Sequence, residues 1–91
     1  MVKNRIYSLD SETAQGFCHF LVSSGYRINV MAGDNDGIIE YEMTITDSYD
    51  NEVFYYVSSS PTALDMIIRE CTNSYLATND GLEMYSIWES Q

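Results

Sequence analysis

The sequence contains few basic residues, and this shortage excludes several classes of partner. Four lysines and arginines stand against 14 aspartates and glutamates in 91 residues, so the formal net charge is −10. Direct contact with nucleic acid needs a basic patch interleaved with aromatic side chains. The basic residues are instead scattered along the chain: Lys3, Arg5, Arg27 and Arg69. The imbalance disfavours binding to nucleic acid or to an anionic membrane and favours basic protein partners.

Histidine and cysteine are also scarce, which limits catalysis and metal binding. His19 is the only histidine, and Cys18 and Cys71 form no CxxC pair, so a conventional zinc site is excluded. Cys18 and His19 are neighbours on a predicted helix, where successive side chains point about 100° apart. They therefore cannot act together as nucleophile and base. We predict that the protein is not an enzyme and has no metal and no cofactor.

Long apolar runs are missing as well. The longest, "VFYYV", is far shorter than a membrane span, and the start, "MVKNRIYSLDS", lacks the apolar segment of a signal peptide. With isolated cysteines, these absences predict a cytoplasmic protein with reduced thiols. The chain does have 45% hydrophobic and 13% aromatic residues, eight of them tyrosine. That content is enough for a single packed domain over residues 1–91.

Alternating patterns predict three strands in the middle of the chain. The segments "YRINVMA", "IIEYEMTIT" and "EVFYYVS" are separated by the turn sequences "DNDG" and "DSYDN", which indicates an antiparallel meander. In the second strand, alternation places two sets of side chains on opposite faces: Ile39, Tyr41, Met43 and Ile45 on one, and Glu40, Glu42, Thr44 and Thr46 on the other.

A first helix is predicted before the meander. It is opened by one of three capping residues, Ser8, Asp10 or Ser11, and it closes at Gly25. Its inward face is formed by residues at helical spacing: Ala14, Phe17, Cys18 and Leu21.

A second helix is predicted after the meander. Ser60 precedes Pro61, the favoured pairing of a cap with proline at the first helical position, and Asn79–Gly81 ends the helix. Its apolar stripe contains Leu64, Ile67, Ile68, Cys71 and Tyr75.

Two further segments are predicted as strands: residues 2–7, from Val2 to Tyr7, and the closing "LEMYSIWES" at residues 82–90. The predicted fold is therefore α+β, an antiparallel four- or five-stranded sheet with two helices packed on one face, in the order (β)αβββαβ. Helices on one side leave the other sheet face open, and Glu40 and Glu42 are expected to lie there.

The stretch "DNDGIIEYEMTITDSYDNE" carries seven carboxylates in residues 34–52 and no lysine or arginine. Three interpretations compete: a calcium loop, a surface that imitates DNA, and an ordinary solvated hairpin. A calcium loop with Gly37 at its sixth position places Ala32 at the first and Met43 at the twelfth, where oxygen ligands are obligatory. The calcium interpretation is therefore disfavoured, and "DNDG" is better explained as a hairpin turn.

Imitation of DNA requires carboxylates held at regular separations. Same-face residues of a strand are about 6.8 Å apart, similar to two phosphate steps of about 3.4 Å along one DNA strand. Tyr49, Tyr55 and Tyr56, expected to be partly buried, would add target-specific contacts. The candidate partner-binding residues are Asp34, Asp36, Glu40, Glu42, Asp47, Asp50 and Glu52, with Glu83 and Glu89 as a second row if the last strand is a neighbour.

Small size, strong acidity, many tyrosines, isolated cysteines and a compact α/β pattern resemble the DNA-mimic inhibitors of bacteriophages. Among them the chain is similar in length and charge to the anti-restriction nuclease protein of T-even phages, Arn. This resemblance implies a homodimer in the bacterial host cytoplasm whose acidic surface occupies the DNA site of a host restriction endonuclease. Two alternatives remain open: an anti-CRISPR inhibitor, or an acidic protein-interaction module for a basic partner unrelated to nucleic acid.

Overall fold

The computed structural model describes residues 8–58 and 64–91, and the fold is α+β. The elements in chain order are α1 (Ser11–Ser23), β1 (Arg27–Asn35), β2 (Ile38–Thr46), β3 (Glu52–Val57), α2 (Leu64–Tyr75) and α3 (Asn79–Glu89).

Helix α1 forms where helical spacing predicted it. Asp10 is the N-cap, and its carboxylate accepts a hydrogen bond from the Thr13 amide at 2.8 Å. Ala14, Phe17 and Leu21 are buried, which confirms the predicted inward face. Gly25 has a φ of +94°, a left-handed conformation that glycine adopts without steric cost, and the chain turns there into β1.

The three strands form an antiparallel meander in the order β1-β2-β3. "DNDG" makes the turn between β1 and β2: Asp36 and Gly37 have φ values of 53° and 81°, and the Gly37 amide donates to Asp34 Oδ1 at 2.9 Å. Two positive φ values are the requirement of the tight hairpin turn that the sequence predicted. The β2–β3 pairing has an irregularity between Ile45 and Thr46.

The core lies between the helices and one face of the sheet. From β2, Met43 and Ile45 point into it and are each 1% exposed, while Ile28, Phe54 and Tyr56 pack against its edge. We call this the inner face of the sheet. The predicted inward direction is therefore confirmed for Met43 and Ile45. Thr46, predicted on the open face, is buried next to the irregularity in pairing, and Ile39, predicted on the inner face, is 53% exposed near the turn.

Helix α2 contributes Ile67, Cys71 and Tyr75 to the core, as its apolar stripe predicted. Among the other helices and strands, α2 contacts mainly α1. The Asn73 side chain also holds the start of α1, since Oδ1 accepts from the Leu9 amide at 2.9 Å. The predicted cap at Ser60 and Pro61 lies outside the described residues.

The predicted last strand is wrong, because residues 79–89 form helix α3. Thr78 is its N-cap and accepts from the Gly81 amide at 3.1 Å, so "TNDG" begins a helix where the sequence suggested that one ends. Trp88 and Tyr85 pack on Phe17 of α1, with ring centroids 5.4 and 5.5 Å apart.

The architecture therefore differs from the prediction in its numbers of elements. The part of the chain that the structure describes has three strands and three helices, where four or five strands and two helices were predicted. The predicted strand at residues 2–7 lies outside the described residues. Helix α3 packs against α1 and α2 and thickens the helical layer behind the sheet.

Candidate partner-binding surface

The face of the sheet opposite the core, which we call the outer face, carries the two central glutamates of β2. Because Met43 and Ile45 point inward, alternation turns Glu40 and Glu42 to the outer face. The Glu40 carboxylate accepts from Asn35 Nδ2 at 3.0 Å. This bond restricts the side chain of Glu40, so its charge has a defined position above the sheet.

Tyr55 of β3 lies beside these glutamates. It pairs with Thr44 across the sheet, and its hydroxyl donates to the Glu42 carboxylate. The pKa of Tyr55 is raised, first by this hydrogen bond and also by the negative charges of Glu42, Glu52 and Glu40. The Tyr55 hydroxyl thus contacts Glu42 and is also affected by the charges of Glu40 and Glu52. We call these four residues, Glu40, Glu42, Glu52 and Tyr55, the carboxylate face.

The hairpin turn extends the negative charge past the end of the strands. Asp34 and Asp36 are both exposed there. The Asp34 carboxylate stabilises the turn through the Gly37 amide, and Asp36 occupies the first left-handed position of the turn. Asp36 lies at the tip of the β1–β2 hairpin. Asp34 alternates with Gly33, the partner of Glu40, and therefore lies on the inner side of the sheet, opposite Glu40.

The opposite turn holds two predicted residues in local interactions. Asp47 Oδ1 accepts from the Tyr49 and Asn51 amides, each at 2.9 Å, and the bond from Asn51 is the main cause that lowers the pKa of Asp47. Asp50 forms an exposed ion pair with Arg27. Asp47 is thus part of the turn, and the charge of Asp50 is balanced by a cation.

Glu83 and Glu89 lie away from the sheet. Both are exposed on α3, which packs against the other two helices. The predicted second row of carboxylates depended on a final strand, and the helix removes it. These two residues belong to a separate surface of the molecule.

Uncharged side chains complete the outer face, and sequence reasoning missed them. Met31 and Val57 flank Glu42 in the strand register and are 63% and 38% exposed. The pairing register of the three strands brings these two side chains next to Glu42. The pattern of one strand in the sequence does not contain the register. Tyr49, expected to be partly buried, is 84% exposed in the turn, and Tyr56 lies on the inner face.

The two cysteines are free and lie on the helices of the core. Burial raises the pKa of the Cys18 thiol, and it raises the pKa of Cys71 to about 12. Both thiols are therefore protonated at neutral pH, which disfavours nucleophilic attack or metal ligation by either of them. Within residues 8–58 and 64–91, no three His, Cys, Asp or Glu side chains are grouped so that they could hold a metal ion.

Comparison with known proteins adds no relative: the chain matches no family model, no curated protein and no solved structure. None of the described helices has both the length and the apolar character that a membrane crossing requires.

Proposed function

We propose that the protein is a non-enzymatic DNA mimic whose carboxylate face occupies the DNA-binding site of a host DNA-handling enzyme, such as a restriction endonuclease. It would act in the bacterial cytoplasm as a phage inhibitor of host defence. The observation that carries the proposal is that Glu40 and Glu42 lie on the outer face of the sheet with their carboxylates held by Asn35 and Tyr55.

A sheet can imitate phosphates because it fixes the separation of charges. Glu40 and Glu42 are neighbours on the same face, and their Cα atoms are about 6.8 Å apart. Hydrogen bonds from Asn35 and Tyr55 hold their side chains. DNA-binding clefts are lined with lysine and arginine, whose affinity for DNA comes largely from neutralising phosphate charge. The same cations would engage these carboxylates, and long-range attraction would speed the encounter.

A second candidate is an acidic module that binds a basic protein unrelated to nucleic acid. Met31 and Val57 favour it, because exposed apolar side chains beside Glu42 suit a protein interface better than a phosphate-binding cleft. An anti-CRISPR inhibitor would use the same surface on a different DNA-handling enzyme. A homodimer, which would double the length of the charged surface, is compatible with either candidate.

The proposal is tested by reversing charge on the carboxylate face. We expect the wild-type protein to displace a fluorescent DNA duplex from at least one member of a panel of restriction endonucleases and CRISPR effector nucleases. The double variant E40K/E42K should bind that enzyme about 100-fold more weakly or worse, because two charge pairs become repulsive. Displacement is measured by fluorescence anisotropy, and the fold by circular dichroism.

A matched control separates the face from the net charge. The variant E83K/E89K makes the same change in charge on α3, away from the sheet, and we expect its affinity to stay within about threefold of the wild type. Equal losses in both variants would show that net charge alone matters and would overturn the assignment of the face. Displacement from no enzyme of the panel would favour the second candidate.

A further inference from the structure

Strand β1 leaves one side unpaired in the part of the chain that the structure describes. It pairs with β2 over Arg27–Asn35 without a break in register, and no strand of residues 8–58 or 64–91 lies on its other side. Natural edge strands are usually protected by lysine, proline or a bulge. Between Ile28 and Asn35 there is no lysine or proline, and the register has no bulge.

The register shows which backbone groups of β1 are available. The Ser58 amide donates to the Tyr41 carbonyl, so Tyr41 bonds toward β3 and its neighbours, Glu40 and Glu42, bond toward β1. Their partners in β1 are Gly33 and Met31. Because hydrogen bonding alternates along an antiparallel pair, the backbone groups of the other β1 residues point to the open edge: Ile28, Val30, Ala32 and Asp34.

The two flanks of this edge differ in chemistry. On the inner side, a groove of about 640 Å³ between the helices and β1 is lined mainly by apolar side chains, including Val22, Ile28, Val30 and Ile68. On the outer side, β1 lies beside the carboxylate face, since Met31 pairs with Glu42. A strand added at this edge would face an apolar groove on one side, and on the other side it would be separated from the carboxylates of β2 by β1 alone.

We propose that the β1 edge binds an extended segment of the basic partner by strand addition. The segment carries lysine or arginine at every second position on its outer side, where long cationic side chains can reach across Gly33 and Met31 toward Glu40 and Glu42, about 10 Å away on β2. The apolar residues between them enter the groove. This inference rests on the proposed function for the cationic character of the partner, and it adds how that partner is held. Charge complementarity sets which face of the segment is outward, and backbone hydrogen bonds to Val30 and Ala32 supply sequence-independent affinity.

Amide hydrogen exchange on the full chain tests the edge directly. The probe is the acetylated, amidated peptide KVKVKVK, and the control is KKVVVKK, which has the same composition without alternation. We expect the alternating peptide to slow exchange at the Val30 and Ala32 amides at least tenfold, and the control peptide to leave it unchanged. The Met31 and Gly33 amides, already bonded to β2, are the internal reference.

A proline substitution provides the second test. Ala32→Pro removes an outward donor at an exposed edge position, where proline is tolerated, so the domain should remain folded by circular dichroism. We expect KVKVKVK to bind Ala32→Pro at least tenfold more weakly than it binds the wild type. Ala32→Thr keeps the amide and should stay within about twofold.

Three outcomes would overturn the inference. Slow exchange of the Val30 and Ala32 amides in the free protein would show that the edge is already covered. Size-exclusion chromatography would then identify the covering segment as a second copy if the protein is a dimer, and as the same chain if it is a monomer. Peptide binding that leaves the exchange of these amides unchanged would mean that the peptide is attracted by charge without adding a strand. The proposed function would not be contradicted by that result. Equal protection by both peptides would show that binding does not require lysine at alternate positions. If the protein displaces DNA from no enzyme but the alternating peptide still protects the edge, only the proposed function would be contradicted.

Discussion

Replacing Gly81 with alanine is expected to destabilise the domain by about 4 kcal/mol or more, which is most of the stability of a typical small domain. A Cβ at this position would lie 2.0 Å from the Tyr75 carbonyl oxygen and 2.6 Å from its carbon. Both contacts are with backbone, so no side chain can rotate to relieve them. The start of α3 would have to move away from the end of α2.

Two other glycines serve as matched controls in urea unfolding followed by Trp88 fluorescence. Gly33→Ala meets no atom within 4 Å and should change the free energy of unfolding by less than about 0.5 kcal/mol. Gly16→Ala places its Cβ 3.5 Å from Trp88, an ordinary contact, and should stabilise α1 by about 0.5–1 kcal/mol. If the Gly81→Ala protein is as stable as these controls, the close approach of Gly81 to the Tyr75 carbonyl at the junction of α2 and α3 would be contradicted.

The same junction explains why sequence reasoning missed a helix. "TNDG" has the composition of a helix end, and "LEMYSIW" alternates over four positions, so a strand was predicted. Gly81 is present because the Tyr75 carbonyl leaves no room for a side chain, which is a tertiary reason that composition does not express. The spacing of Leu82, Tyr85 and Trp88 is the helical signal that competed with the alternation.

Elements with strong local signals were predicted correctly. The "DNDG" turn and the alternation of β2 determine the hairpin and its faces, because a slip by one residue would expose Met43 and Ile45. Helix α1 has both a cap at Asp10 and a terminating glycine, and Gly25 adopts the expected positive φ.

The candidate surface was only partly predictable. Glu40 and Glu42 follow from the pattern of one strand, and Asp34 and Asp36 from one turn. The ion pair of Asp50 with Arg27 joins the β2–β3 turn to the first residue of β1, so no local pattern indicates it. Pairing across strands likewise brings the Tyr55 hydroxyl to the Glu42 carboxylate, which a list of acidic residues does not reveal.

The half-buried carboxylate of Asp80 joins three elements of the fold. Asp80 of α3 accepts hydrogen bonds from two tyrosine hydroxyls, Tyr75 and Tyr26, the latter at 3.1 Å. Tyr75 is fully buried and Tyr26 is 8% exposed. The three residues link the start of β1, the end of α2 and the start of α3, so the protonated phenols hold the helical layer to the sheet.

These phenols, with Cys71, are expected to make the domain unfold in alkali. Burial raises the pKa of Tyr26 and of Cys71 to about 12 each, and burial followed by the bond to Asp80 raises that of Tyr75. In the unfolded chain a cysteine loses its proton near pH 8.5 and a tyrosine near pH 10. Above those values the unfolded state binds fewer protons, so the stability that the raised pKa values contribute is complete below about pH 8 and is lost as pH rises toward 12.

Each such group removes about 1.4 kcal/mol per pH unit once its unfolded form is ionised. With three groups the free energy of unfolding should fall by about 4 kcal/mol per unit above pH 10, and urea midpoints from pH 7 to 11.5 measure this slope. Tyr26→Phe should be less stable at pH 7, but its free energy of unfolding should fall less steeply with pH. The slope should be smaller than that of the wild type by about 1.4 kcal/mol per pH unit. Tyr49→Phe should keep the wild-type slope, because its ring is 84% exposed. A wild-type protein with level stability to pH 11 would contradict buried, protonated phenols, whereas a steep loss that Tyr26→Phe reduces would assign part of the native stability to this network.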